Sequence, residues 1–301
     1  MTPTTAPRSA FATMAMRSYE AFARMSIGRA FSSWIGRLSG GFIILLVLTA
    51  VFAPWIAPFD FAAQNLMNAN QPPAWPHLLG TDEFGRDVLS RVIYGARTSL
   101  SVSATAIGIS ITAGMILGAA AGYFGGLFER VVMTVVDLTW SFPDILIALI
   151  FVAIIGPGLT STTFAIAIAY LAQFTRLTRA QIVRLKRETF IEATINLGAK
   201  PRHVLLRHLM PNAIAPVIVV GMLAIGDGIV LEATLGFFGL GAQPPTPSWG
   251  GMMSSGTAQL FLSPWVIIFP GVVVAVTVIA VNLFGDELIR ALDIRDRLRG
   301  A

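Results

Sequence analysis

The 301-residue chain is 55% hydrophobic and only 12% charged, whereas soluble domains carry about a quarter charged residues. The apolar excess falls in long runs, as in a polytopic membrane protein, and the net charge of +5 sits in loops beside those runs, which argues against a nucleic-acid-binding face. The absence of cysteine excludes disulfides, thiol catalysis and cysteine metal sites, and His77, His203 and His208 lack metal-ligand spacing.

Residues 1–38 form a basic segment. Residues 1–10 read as disordered. From Phe11 to Leu38, apolar residues recur at near-helical spacing with arginines between them, which fits an interfacial amphipathic helix or a loosely ordered basic tail. The first strong apolar run starts near Gly41, too late for a secretory signal, and reads as a retained anchor. Six helical spans are predicted, at 39–58, 98–123, 131–155, 160–176, 211–235 and 264–285, within a transmembrane domain covering 39–301. Lys and Arg cluster before the first span, between the fourth and fifth, and after the sixth; segments 156–160 and 236–263 have none. Both termini and the 177–210 loop are therefore expected in the cytoplasm, with the 59–97 loop outside by parity of spans.

In the second span, Ser110, Gly114, Gly118 and Gly122, with Gly126 just beyond, place small residues every four positions. That spacing predicts a face along which another helix approaches closely. Few carboxylates enter the spans: Asp137 and Asp144 in the third, Asp227 and Glu232 in the fifth. Each costs about 2.5–3.5 kcal/mol to insert, so each should face protein or a wet cavity. Asp144, beside Pro143, fits a cap on a helix restarted after a kink. Asp137, Asp227 and Glu232 are candidates for a translocation path. Asp227, within Gly226-Asp227-Gly228, either lines a route that attracts cationic groups or is hydrogen-bonded to neighbouring helices.

The 177–210 loop holds most of the remaining chemistry. Residues 180–196 read as a short amphipathic helix through Ile182, Leu185, Phe190, Ile191 and Ile195. Gly198 permits a sharp turn, Pro201 suits the first turn of a following helix, and Pro211 marks the start of the fifth span. The physics fits either a rigid docking knob or a solvated basic loop. No G-x-x-x-x-G-K-[ST] phosphate cradle is present, and no Ser-His-Asp, Cys-His or HExxH arrangement.

Glu192-Ala193-Thr194, then Gly198 and Pro211, resembles the coupling-loop signature of ABC importer permeases, in which Glu-Ala-Ala precedes a Gly and a Pro. Residues 77–100 (HLLGTDEFGRDVLSRVIYGARTSL), 231–253 (LEATLGFFGLGAQPPTPSWGGMM) and 282–297 (NLFGDELIRALDIRDR) are similar to further segments of one family, the inner-membrane permeases of bacterial dipeptide, oligopeptide and nickel importers, C-subunit type. Thr194 replaces the second Ala, and Ile294 stands where the family usually has Pro. The resemblance implies an all-α polytopic fold of the type I importer class, with six transmembrane helices and a cytoplasmic coupling helix. It implies a non-catalytic subunit of the bacterial inner membrane, without a cofactor of its own, ATP and Mg being held by two ATP-binding subunits. A homologous permease would complete the pore as a heterodimer, and an external substrate-binding protein would deliver short peptides or, alternatively, nickel or another small solute. Glu192, Ala193, Thr194, Gly198 and Pro211 would couple to the ATPases. The external motif around Thr81, Asp82, Gly85, Arg86 and Asp87 reads as an Asp–Arg clasp that folds its loop. A secondary transporter would need internal repeats, none of which is visible, and an intramembrane enzyme would need a base–nucleophile pair.

Overall fold

The computed structural model describes residues 28–299, with side-chain surroundings through Ala291. Of the amphipathic helix expected over 11–38, residues 11–27 lie outside the described residues, as do the side chains of the C-terminal motif beyond Ala291; in the described part the chain is helical at 28–30, turns at 31–33 and then enters the first long helix. Apart from two isolated bridges (Ala74 with His77, Thr81 with Asp87), the regular structure is helical.

Helix α1 spans Trp34–Val51. It starts before the expected residue 39 because the Ser33 side chain caps it, accepting from the Gly36 N–H at 2.9 Å. It breaks at Phe52, and one further turn, Ala53–Ile56, carries Pro54, which has no N–H to continue the ladder. Helix α2 runs over Val88–Phe124 and stops at Gly125, whose φ is +69°. The predicted third span is two helices, α3 (Gly126–Trp140) and α4 (Asp144–Ile155), bent by 97° at Ser141-Phe142-Pro143. A hydropathy run is blind to this break, which proline makes by removing a donor and disfavouring helix in the residue before it.

Helix α5 spans Leu159–Leu185, well past the expected 176. Helix α6 is Thr189–Asn196, α7 is Pro201–Phe237, α8 is Trp249–Ala258 and α9 is Trp265–Arg299. Among the described residues, four helices, α1, α2, α7 and α9, are long and apolar enough to cross a membrane, or five if the α3–α4 pair is one broken span. Six is not reached by this measure. Helix α5 is long enough, but its threonines, Gln173 and Arg176 dilute its apolar character.

The core lies between α2 and α5, which pack more extensively than any other pair. The small-residue face makes this possible. A Cβ on Gly114 would lie 2.6 Å from the Phe174 Cβ, and one on Gly118 2.4 Å from the Thr175 carbonyl oxygen. Ser110 donates to the Ala167 carbonyl at 2.6 Å. Gly126 does not belong to the face: no atom stands within 4 Å of its would-be Cβ, and its φ of +64° serves the α2–α3 turn instead.

Helix α7 is continuous through one π turn at Leu205–Leu209. Pro211 has no N–H to return to the Arg207 carbonyl. The Asn212 side chain donates to the His208 carbonyl at 2.6 Å, and the Met210 N–H reaches back to Leu205. Pro211 thus lies within a helix that begins ten residues earlier.

Candidate functional site

At one end of the bundle, α6 sits on a cluster of buried side chains from α2, α5 and α7: Ala119, Ile182, Leu185, Val204, Leu209 and Ala213. Its own contribution is Ile191, which is fully buried. The predicted helix over 180–196 is interrupted. Residues through Leu185 continue α5, a turn intervenes, and α6 starts afresh at Thr189. Lys186 in that turn donates to the Tyr123 carbonyl at 2.8 Å, which fastens the turn to the end of α2. The expected turn at Gly198 is present. Its φ of +81° lies in the left-handed region that side chains disfavour, and Pro201 opens the next helix.

With Ile191 turned inward, Glu192 and Ala193 are exposed, Thr194 is half-buried, and Phe190, Ile195 and Leu197 present apolar surface, Leu197 being 88% exposed. The element is therefore a short helix with a buried keel and a mixed apolar and acidic outer face. Pro211 is exposed in the helix behind it. Thr194 donates its hydroxyl to the Phe190 carbonyl at 2.7 Å, so the departure from Ala is absorbed within the helix.

At the opposite end, Asp82 is the hub of the long loop. One carboxylate oxygen accepts from the backbone N–H groups of Phe84 (2.9 Å) and Arg86 (3.0 Å), and the other from the Arg86 side chain at 2.7 Å. Arg91 approaches the same carboxylate at 3.5 Å. Asp87 caps α2, accepting from the Ser90 N–H at 2.8 Å and the Ser90 hydroxyl at 2.7 Å, and it meets His77 Nδ1 at 2.9 Å. Gly85, with φ +70°, passes so close to Asn65 that a Cβ would overlap its carbonyl. Asp82, Arg86 and Asp87 are all buried, so the geometry is that of a loop-folding clasp. The loop is tied to the 236–263 segment and to the start of α9. Trp249 Nε1 donates to the Val92 carbonyl at 3.1 Å, Trp265 Nε1 to the Thr81 carbonyl at 3.0 Å, and Ser263 bonds Asn70 at 2.9 Å.

The span carboxylates divide three ways. Asp137 is paired: Arg176 Nη2 lies 2.5 Å from it, and the guanidinium sits 4.3 Å over the Trp140 ring. Glu232 is fully buried, with neither oxygen hydrogen-bonded among the described residues. Asp227 lines a cavity of about 300 Å³ together with Asp144, Trp140, Tyr170 and Gln173. Pro143, not Asp144, occupies the cap position of α4, without a side-chain hydrogen bond; Asp144 is the first helical residue, so it does not cap the helix, and it lines the cavity. Sequence reasoning missed Tyr170 and Gln173; polar groups inside the run AIAIAYLAQF were the available signal.

Residues 110–297 match the family described as "Binding-protein-dependent transport system inner membrane component". The chain belongs to this family. Residues 23–73 also match the N-terminal transmembrane domain of oligopeptide transport permease C, so family likeness reaches further toward the N-terminus than the motifs had indicated. The chain is 42% identical over 255 residues to the glutathione transport system permease protein GsiD of Escherichia coli O6:K15:H31, covering 84% of each chain, and equally to that of Shigella boydii serotype 4. An inward-facing conformation of the MetNI methionine ABC transporter shares the fold, with a TM-score of 0.53 over 68% of this chain and 95% of that one at 17% identity. This permease is thus a non-catalytic, multi-pass inner-membrane subunit of the OppC type within the peptide and nickel ABC importer family. Membership implies ATP hydrolysis on partner subunits, together with ATPase and binding-protein partners.

Proposed function

We propose that this permease forms half of a pore that imports short peptides, paired with a homologous permease and driven by two ATP-binding subunits that seat on α6. The observation that carries the coupling assignment is the exposed outer face of α6 (Phe190, Glu192, Ala193, Ile195 and Leu197) held rigid by fully buried Ile191. A helix of eight residues fixed on a packed base moves as one body when a partner pushes on it. Gly198 and Pro201 set the exit of the chain from α6, and Pro211 sets the register of α7 behind it. ATP and Mg bind on the partner subunits. Their closure biases the permease pair between inward-open and outward-open states.

Six crossings follow if α5 is counted with the five candidates. Its contact along the full glycine face of α2 supports this, since a helix so seated spans the same depth. Six crossings put both termini on the same side as α6, and the Lys and Arg distribution favours the cytoplasm for that side. They place the clasped 59–97 loop and the 236–263 loop outside, where both are available to a substrate-binding protein.

The OppC-type match and the glutathione permeases among the relatives favour peptide cargo. The test is purification followed by uptake. Mild-detergent purification should bring down ATPase subunits. Vesicles holding the full complex and its binding protein should accumulate labelled dipeptides or glutathione in the presence of internal ATP. Accumulation of nickel ions alone would overturn the peptide assignment.

A further inference from the structure

We propose that the cavity between the α3–α4 break, α5 and α7 binds the cargo's protonated amino group, with Asp144 and Asp227 as its counter-charges and Tyr170 as an orienting hydroxyl. This rests on the peptide-import reading above and names the part of the cargo that the pore recognises.

Three elements build the site. Asp227 projects into the cavity because its neighbours pin α7 on other sides. A Cβ on Gly226 would meet Val281 and Asn282 of α9 at 3.4 Å, and one on Gly228 would meet Ile107 of α2 at 3.3 Å. Those two faces are occupied, which leaves Asp227 facing the side where α5 and the α3–α4 break stand. Asp144 arrives from the first residue of α4, placed there by the 97° bend. Tyr170 arrives from α5. It is only 6% exposed, it lines the cavity, and its hydroxyl has no hydrogen-bond partner among the described residues. The hydroxyl is open to the cavity and free to bond an occupant. Gln173 lines the same cavity one turn further along α5, and Trp140 and Phe142 wall it.

The chemistry selects a cation. Neither carboxylate has a hydrogen bond or salt bridge among the described residues, whereas Asp137 nearby is paired with Arg176, so that guanidinium is already engaged. Both aspartates are exposed on the open cavity, and two unpaired negative charges sharing one cavity attract a cation. A primary ammonium offers three donors, which match two carboxylates and one phenol oxygen. About 300 Å³ is at the lower end for ligand pockets, and it accommodates the amino-terminal part of a peptide rather than a long chain.

The experiment uses the complete transporter, with its partner permease, ATPases and binding protein, in vesicles. Uptake of labelled Ala-Phe is compared with uptake of N-acetyl-Ala-Phe for wild type, Asp144→Asn/Asp227→Asn, Asp144→Glu/Asp227→Glu and Tyr170→Phe. Because the binding protein is common to all, a change in the ratio of the two uptakes reports the cavity. We expect the ratio to fall at least tenfold in the double Asn variant, to recover in the double Glu variant, and to fall severalfold in Tyr170→Phe, with assembly intact by co-purification. An unchanged ratio in an assembled double Asn variant overturns the amino-group site and leaves peptide import standing. Failure of wild-type vesicles to take up either peptide, or their uptake of nickel ions alone, overturns both readings.

Discussion

Alanine at Gly118 and alanine at Gly108 should have opposite effects, although both lie in α2 and add the same methyl group. At Gly118 the new Cβ would stand 2.4 Å from the Thr175 carbonyl oxygen, 2.8 Å from Thr178 Cβ and 3.0 Å from the Arg179 nitrogen. Two of these are backbone atoms of α5, which cannot swing aside as a side chain can. Restoring van der Waals separation of about 3.5 Å requires the helices to part by about 1 Å, which opens gaps on both sides of the contact. Overpacking of this kind costs about 1–3 kcal/mol, against a helix-propensity gain of about 1 kcal/mol or less. Because the clash is with backbone, the cost lies toward the upper end of that range, so the clash wins and the net loss is up to about 2 kcal/mol. At Gly108 nothing lies within 4 Å, so only the propensity gain remains. Thermal unfolding of the purified complex in detergent, followed by retention on size exclusion, separates the two cases. The Gly118→Ala midpoint should fall by several degrees while that of Gly108→Ala holds or rises, at about 2–4 °C per kcal/mol. Equal midpoints would refute close backbone contact between α2 and α5 as the basis of the fold.

Gly198→Val should force a β-branched residue to φ +81° and misdirect α6, and Ala193→Trp should block its outer face. Each should lower substrate-stimulated ATP hydrolysis by the assembled complex at least tenfold, and normal stimulation would remove α6 from the coupling route. Asp82→Ala removes the carboxylate shared by the buried Arg86 and Arg91, leaving Arg86 only Glu83 at 3.6 Å, and should destabilise the loop by about 3 kcal/mol, read as loss of protease resistance between residues 59 and 87. Asp137→Ala and Arg176→Ala remove two halves of one pair, so their effects on uptake should not add, and a double variant much slower than either single one would refute the pairing.

Much of this architecture was legible because certain residue types leave their geometry little choice. Small residues repeating every four positions announced the α2 face, and Gly198 with Pro201 announced the turn after α6. Asp82, Arg86 and Asp87 were readable as a clasp because short-range carboxylate–guanidinium pairs in loops serve folding first. What escaped reading depends on distant partners. Helix α5 outlasts its hydropathy signal because Arg176 and Arg179 are held by Asp137 and Glu129 of α3, so the charges that seemed to end the span continue the helix. The α3–α4 bend was hidden inside an apolar run, since composition does not record direction. The grouping of Asp144, Tyr170 and Asp227 arises from three separate elements and exists only once that bend is made. Pro211 looked like a helix start because proline favours that place; the π turn lets it sit inside a longer helix instead.

The unbroken course of α7 has a mechanical consequence. Thirty-seven residues at about 1.5 Å each make a rod roughly 55 Å long, whose foot stands beside the α6 turn and whose head carries the loop leading to α8. The stiff part lies above Pro216, about 21 residues and roughly 32 Å, and a tilt of about 5° at its base sweeps the head through roughly 3 Å. Two places along the rod, the π turn near its foot and Pro216 a little above it, lack regular backbone bonding and can flex. Stiff upper length and compliant ankle together let a push near the foot swing the head at the other membrane face.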